Sequence, residues 1–593
     1  MWRLRPQLST PSAPARPLWR SHDDAIADEH ALALLVVILA AGLVLRTLQL
    51  DAPMSAAEAL EGASARGVLR TGLPLLPTGL LDGRAPLYHA LLAGAFALGG
   101  DSLLSGRLLG VAGGVLAIGG VALLGWRLFQ SRAVGLLAAL LLAVDPFSVA
   151  ATARMGPIGL LQLAVVAALL GVAHQWLGPG AARARWKLGS ALAIGLAALA
   201  HPLFLVAVPG LPLLVLAGRP PRAGWRPLVP LVGGGALVAL APLAMHSLAA
   251  RRADFSGIVR WGGGDALTLG GVAAARQSWW QRLAELLQDL GPTSTSGALL
   301  TGLCLVVAAT AIISLARTTA RARPAMRLVV CAAPTALGLA LWPSGLGTPG
   351  AGALLSPLVL LLVAAAVLPP TTESFTRSTL AWAGVAALGA TAATAAWLSP
   401  PLTPLWAARN TLLVIPLVAG VVLAALDVQA RSPRPLRGAL LGAALTAIIA
   451  LDAGLVRRSE PGWHEAGLAV APAIETAGHL VVHGAEAPTV WWSTGRVHVV
   501  IPAWDTLYAV NRSGQPFEAV TGAVVAQDRA HLRELLQGPV TYLTTVAPGQ
   551  SRDPAWSERV EAPLDAWLRE RLPVQRRFGA VELRSGSIPS ARQ

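Results

Sequence analysis

Apolar residues fall into long blocks separated by short polar turns, each block about as long as a helix that crosses a bilayer. The first, Ala31–Leu48, is long enough to span. Further spans are predicted at 108–126, 133–150, 157–176, 188–201, 203–217, 228–248, 298–316, 328–342, 351–368, 379–398, 405–426 and 438–456, about 13 in all. The 188–201 and 203–217 blocks are short, and His201-Pro202 fits equally a bend within one irregular element. The block at 85–99 is apolar but also short, so it reads as an interfacial or re-entrant helix inside a loop. After Val456 the pattern changes. Short β-like runs (His479–His483, Thr489–Trp492, Val497–Ile501, Val540–Thr544, Ala580–Leu583) alternate with helical ones (Gln527–Gln537, Leu564–Arg571). The fold class expected is thus an α-helical polytopic membrane protein with a C-terminal α/β domain. Its parts are a basic tail at 1–30, a transmembrane domain at 31–456 and the α/β domain at 457–593.

Charge sets the orientation. Arg127 and Arg132, then Arg183, Arg185 and Lys187, then Arg219, Arg222 and Arg226 fall on one side of the predicted spans. Arg317, Arg321, Arg323 and Arg327, and then Arg431, Arg434 and Arg437, join them, whereas the loops near 343–350 and 399–404 carry no Lys or Arg. By the positive-inside rule this places the N-terminus in the cytoplasm and residues 457–593 outside a cell membrane. Counting 85–99 as a span would invert every later loop. Overall, 593 residues with 54% hydrophobic and 13% charged residues exclude an ordinary soluble protein. The net charge of +15 does not point to nucleic acid, because the arginines are spread over short turns and not gathered on one soluble face. Cys304 and Cys331 both fall in predicted spans and indicate neither a disulfide framework nor a thiolate metal site. A second long loop, 249–297, carries a Trp279-Trp280 pair within an amphipathic stretch from Arg276 to Leu290. It reads as an interfacial anchor or as a lid over an active site.

The loop at 49–107 concentrates ionisable groups at a membrane edge, where they are costly and usually functional. It contains Ala57-Glu58, then Ala65-Arg66-Gly67, then Arg84-Ala85-Pro86-Leu87-Tyr88, and Arg107-Leu108 opens the next span. Arg127-Leu128-Phe129 with Gly135-Leu136-Leu137-Ala138-Ala139 follows, and then Asp145-Pro146 and Ala153-Arg154-Met155. These motifs resemble the GT-C class of membrane glycosyltransferases, in particular the protein-mannosyltransferase and aminoarabinose-transferase-like group. The specific resemblance covers about 31–217; beyond that it rests on architecture.

The resemblance implies transfer of a sugar from a polyprenyl-phosphate donor to an external protein, lipid or glycan acceptor. Such a reaction needs a carboxylate to take the acceptor's proton and cations to hold the leaving phosphate. Glu58 is the candidate base, with Asp145 a further candidate that equally reads as a helix end. Arg66, Arg84, Tyr88, Arg107 and Arg154 are the candidate phosphate ligands. The chain departs from the group at three positions: the expected catalytic Asp is Ala57, an acid before Arg84 is Gly83, and a second external Asp falls at Gly156. Partners are then the bilayer, the lipid-linked sugar and the acceptor. An alternative is a non-catalytic relative that binds lipid phosphate or acts in assembly. A transporter is disfavoured, since no paired broken spans or buried charge relay are visible. His89 and His201 stand isolated in sequence, so no cofactor is expected; a divalent metal beside Glu58 has no ligand spacing to support it. The C-terminal region shows no phosphate loop, ligand spacing or nucleophile elbow.

Overall fold

The computed structural model describes residues 28–82, 85–129, 131–177, 182–201, 462–474, 478–502, 508–510, 515–545 and 557–589, with isolated positions at 204, 357, 358, 360, 361 and 364. The expected loop at 249–297 and nearly all of the spans beyond 203 lie outside these residues.

The membrane part begins with α1 (Asp28–Thr47). Then come α2 (Ala56–Thr71) and α3 (Pro86–Gly99), both inside the first loop. α2 starts where the Ser55 side chain accepts the Glu58 N–H while Glu58 reaches back to Ser55, a reciprocal cap, and it stops at Gly72, whose φ of 77° suits glycine. α3 starts at Pro86, whose missing N–H costs nothing at a first helical position. The apolar 85–99 block is a helix, shorter than those long enough to cross a membrane.

α4 (Leu103–Phe129) and α5 (Arg132–Val144) are joined by a tight turn that Ser131 caps. The single span expected at 133–150 is broken. Asp145 accepts the Ser148 N–H at 3.0 Å and Pro146 opens a separate short helix, α6 (Pro146–Thr152). Proline cannot continue the α5 hydrogen-bond ladder, and Asp145 offers the new one a cap. α7 (Ile158–Leu177) and α8 (Ala182–Ala200) follow. Among the described residues, Glu29–Thr47 and Leu103–Phe129 are long and apolar enough to cross a membrane. Ile118, Val121, Leu124, Leu142, Leu161, Val166 and Leu169 build the core between the helices. α4 and α7 meet through glycine: a Cβ on Gly113 would lie 2.7 Å from the Gly159 carbonyl carbon.

The C-terminal part is one eight-stranded mixed sheet in the order β3-β4-β5-β2-β1-β6-β8-β7. Its strands are β1 (His479–His483), β2 (Val499–Ile501), β3 (Tyr508–Val510), β4 (Pro516–Glu518), β5 (Val524–Val525), β6 (Gly538–Thr545), β7 (Val574–Phe578) and β8 (Val581–Ile588). β5, β2, β1 and β6 run parallel, and antiparallel strands finish both edges. Among the described residues, four helices accompany them: α9 (Trp463–Ile474), α10 (Ala487–Thr494), α11 (Arg529–Leu535) and α12 (Ala562–Arg571). β1 shows why two cores form. Leu480 and Val482 join Trp463, Val470 and Val490 on one face; Val481 joins Leu532, Leu564 and Leu568 on the other. The β-like run Thr489–Trp492 is helical, as part of α10. Pro488 sits in its first turn, Gly495 closes it at φ 71°, and Thr489 and Val490 are buried together on one side of the helix. Burial on a helical face overrides the strand preference of Thr, Val and Trp.

Candidate functional site

The first loop folds back on α4, α6 and the C-terminal sheet, and this brings the candidate residues into three groups.

The first group is built on Glu58. The residue is 1% exposed, and its side chain takes both arms of Arg107, with Nε to Oε1 and Nη2 to Oε2 each at 2.8 Å. Oε1 also accepts the Met155 N–H at 2.8 Å, and Oε2 the Ser55 N–H at 3.0 Å and hydroxyl at 3.3 Å. Arg107, wholly buried, spends its other donors on the carbonyls of Leu50, Ala52 and Pro53. This is a desolvated bidentate pair with every remaining direction satisfied, the arrangement in which a buried ion pair holds. It ties the start of α2 to α4 and to the bend after α6. Ala57, one residue before it, is exposed.

The second group lies one turn further along α2. Glu61, Asp82 and His89 are 7%, 5% and 0% exposed. His89 Nε2 lies 2.7 Å from Glu61 Oε2 and 3.6 Å from Asp82 Oδ2, and the Ser64 hydroxyl donates to Asp82 Oδ2 at 2.7 Å. His89 is thus not isolated. The spacing of Glu58 and Glu61 on one helical stretch was the available signal for Glu61; Asp82 and His89 had none, because a turn brings them back. Tyr88, beside His89, is wholly buried against Met54, Ala59, Leu92 and Met155, and its hydroxyl has no hydrogen-bond partner among the described residues.

The third group faces the sheet domain. Arg66 donates to Asp101 at 2.6 Å and lies 3.5 Å over the Trp492 ring, with Trp491 at 5.8 Å. Leu60 and Ala63 pack on Val520, and the Thr78 hydroxyl donates to the Ala519 carbonyl at 2.7 Å. Elsewhere, Asp145 caps α6, and Arg154 is half-buried in the bend between α6 and α7. A Cβ on Gly156 in that bend would meet nothing within 4 Å. Gly83 and Arg84 lie outside the described residues.

Arg46, which sequence reasoning passed over, is wholly buried in the last turn of α1. It donates to Thr152 Oγ1 (2.8 Å), Ser148 Oγ (3.0 Å) and the carbonyls of Gly42 and Ala143. Its position at the end of an apolar run gave no sign that it would be buried.

ArnT of Cupriavidus metallidurans, in its apo state and bound to undecaprenyl phosphate, matches this structure with a TM-score of 0.57 and 18% sequence identity. The match covers 94% of this chain and 98% of that one. The chain has a GT-C fold. The helical, polytopic membrane architecture of that class is therefore its architecture, as the loop motifs implied. Residues 83–247 match the dolichyl-phosphate-mannose-protein mannosyltransferase family. The oligosaccharyltransferase AglB of Archaeoglobus fulgidus, in complex with an inhibitory peptide and a dolichol-phosphate, is more distant. It has a TM-score of 0.49 and 15% identity, over 86% of this chain and 69% of that one. A search of curated protein sequences finds no match. In the GT-C frame the three groups all belong to the first loop after α1, the segment that carried the motifs.

Proposed function

We propose that the chain is an integral-membrane glycosyltransferase that takes a sugar from a polyprenyl-phosphate donor and delivers it to an external acceptor. The observation that carries this reading is the family match over 83–247, which opens on Gly83-Arg84-Ala85-Pro86-Leu87-Tyr88. The matched family is named for dolichyl-phosphate-mannose, and ArnT has been seen with undecaprenyl phosphate, so a polyprenyl phosphate is common to both and supports a donor of that class. Of the cations in the motifs, Arg107 is committed to Glu58 and Arg66 to Asp101 and Trp492. From their places in the motifs, we assign the donor phosphate to Arg84 and Arg154, which would stabilise charge as it develops on the leaving group. In this reading about 13 spans cross the plasma membrane, with the N-terminus cytoplasmic and residues 457–593 outside.

The acceptor side is where this chain departs from the group. Ala57 offers no proton acceptor, and both oxygens of Glu58 are already filled, so Glu58 positions the loop and does not serve as base. A nucleophile that is already an anion at neutral pH, a phosphate or carboxylate oxygen, needs no base at that position. A second reading, a lipid-phosphate-binding relative without turnover, is favoured by the same exposed Ala57. Membranes carrying the protein, supplied with a panel of polyprenyl-phosphate sugars, separate the two. Transfer to an acidic acceptor by the native chain supports the first. Ala57→Asp should then extend transfer to hydroxyl acceptors by roughly 10²-fold, the usual worth of a general base. Donor binding without transfer by either protein, to any acceptor, would leave the binding role.

A further inference from the structure

We propose that Glu61, Asp82 and His89 bind one divalent first-row metal ion, zinc or manganese, which pins the folded first loop together. The three residues come from three separate pieces of that loop. Glu61 lies on α2, His89 on α3, and Asp82 at the end of the turn between them, where Leu75 and Leu81 form a bridge. One ligand atom from each lies within 4.8 Å of the others, and all three side chains are buried. Around a tetrahedral ion with bonds of about 2.0–2.2 Å, ligand atoms stand roughly 3.3–3.5 Å apart. The 2.7 Å and 3.6 Å separations at His89 Nε2 need shifts of only tenths of an ångström to reach that.

The donor set selects the ion. Two carboxylate oxygens and one imidazole nitrogen, with no thiolate, suit zinc or manganese and not the softer metals. Ser64 supplies the support that metal-bound carboxylates usually have, its hydroxyl donating to Asp82 Oδ2 from the next turn of α2. An independent feature points the same way. The Tyr88 hydroxyl is wholly buried with no hydrogen-bond partner among the described residues, and its ring centroid is 6.1 Å from that of His89. An oxygen ligand completing the ion's shell would give that hydroxyl a partner. The site is separate from the Glu58–Arg107 pair and does not rest on the transferase reading. A held ion would sit one helical turn from Ala57.

The test is metal binding by the full chain in detergent, with any affinity tag removed and bound metal stripped by a chelator. Titration with zinc chloride and manganese chloride should give one equivalent per chain, and cobalt chloride should give the visible absorption bands of a low-coordinate, imidazole-containing site. Ser64→Ala keeps every ligand and should weaken binding about 10- to 100-fold, as loss of a group that orients a ligand does. Glu61→Gln and His89→Gln should weaken it at least as much and erase the cobalt bands. If either ligand variant fails to fold, Ser64→Ala carries the test. Native chain that holds no more of any of the three ions than the His89→Gln variant, or unchanged binding in Ser64→Ala, overturns the proposal and leaves a histidine-bridged hydrogen-bond cluster. Because the readout is binding, failure here says nothing about glycosyl transfer.

Discussion

Glu58 shows how a residue's neighbours decide its chemistry. A carboxylate next to an expected catalytic acid is a natural candidate base, yet here five donors converge on its two oxygens in a site almost without water. A base needs a free lone pair aimed at its substrate; Glu58 has spent its own on the fold. Arg107→Met should therefore destabilise the protein by about 3–5 kcal/mol, because it strands a buried carboxylate. Glu58→Gln with Arg107→Met should cost less than the sum of the two single changes, a coupling that thermal unfolding in detergent would reveal. Ala57→Asp, on an exposed position, should leave the midpoint within experimental scatter. Tyr88 offers a contrast: its hydroxyl lacks a partner among the described residues, so Tyr88→Phe should not lower the midpoint. Lost activity in that variant with stability intact would place the hydroxyl against a ligand.

Among elements, the contact that matters most is α2 against α10. Gly62 leaves the space that the Trp492 ring fills, and Arg66 closes over the same ring. Trp492→Ala removes both the packing and a cation–π contact worth about 0.5–2 kcal/mol. It should raise amide exchange in α2 while leaving the β1–β6 centre of the sheet protected; equal exchange in both proteins would deny that the two elements support each other. The turn after β4 presents Val520 to α2, and buried Glu518 shapes it by accepting the N–H groups of Val520 and Thr521. Burial pushes the Glu518 carboxyl above its ordinary value of 4.5, and those hydrogen bonds only partly oppose this. The folded state then holds its proton more tightly than the unfolded chain does. Its contribution to stability is present below about pH 4.5 and is lost as pH rises through the raised value. Glu518→Gln should flatten that part of the stability–pH curve. An unchanged curve would mean that the carboxylate is not penalised by burial.

At the scale of the whole molecule, the first loop and the C-terminal sheet touch through Thr78, Leu60, Ala63 and Trp492, so they share one side of the membrane. In the proposed orientation, with the arginine-rich turns at 127–132 and 183–187 in the cytoplasm, loop and sheet face outward. A reporter that is active only outside the cytoplasm should work when fused after residue 593 and fail when inserted beside Ser131. The opposite pattern would reverse the orientation and remove the donor reading, since the loop would then face the cytoplasm.

What the sequence determined by itself was whatever repeats locally. Blocks of apolar residues showed the early helices, arginines at their ends indicated a side, and a short apolar run between two histidines gave β1 as His479–His483 to the residue. The loop motifs were enough to indicate the GT-C fold. The tertiary structure alone decided how the loop closes. Pairing Glu58 with Arg107 spans 49 positions, and Asp82 meets Glu61 and His89 only because a turn returns the chain between two helices. The helical state of Thr489–Trp492 was likewise a matter of burial, with Thr489 and Val490 packed on one helical face. Periodicity records which face of an element is apolar; it carries no information about which distant charge will share that burial. That is why the chain's class was legible in its order of residues while the roles of its buried carboxylates were not.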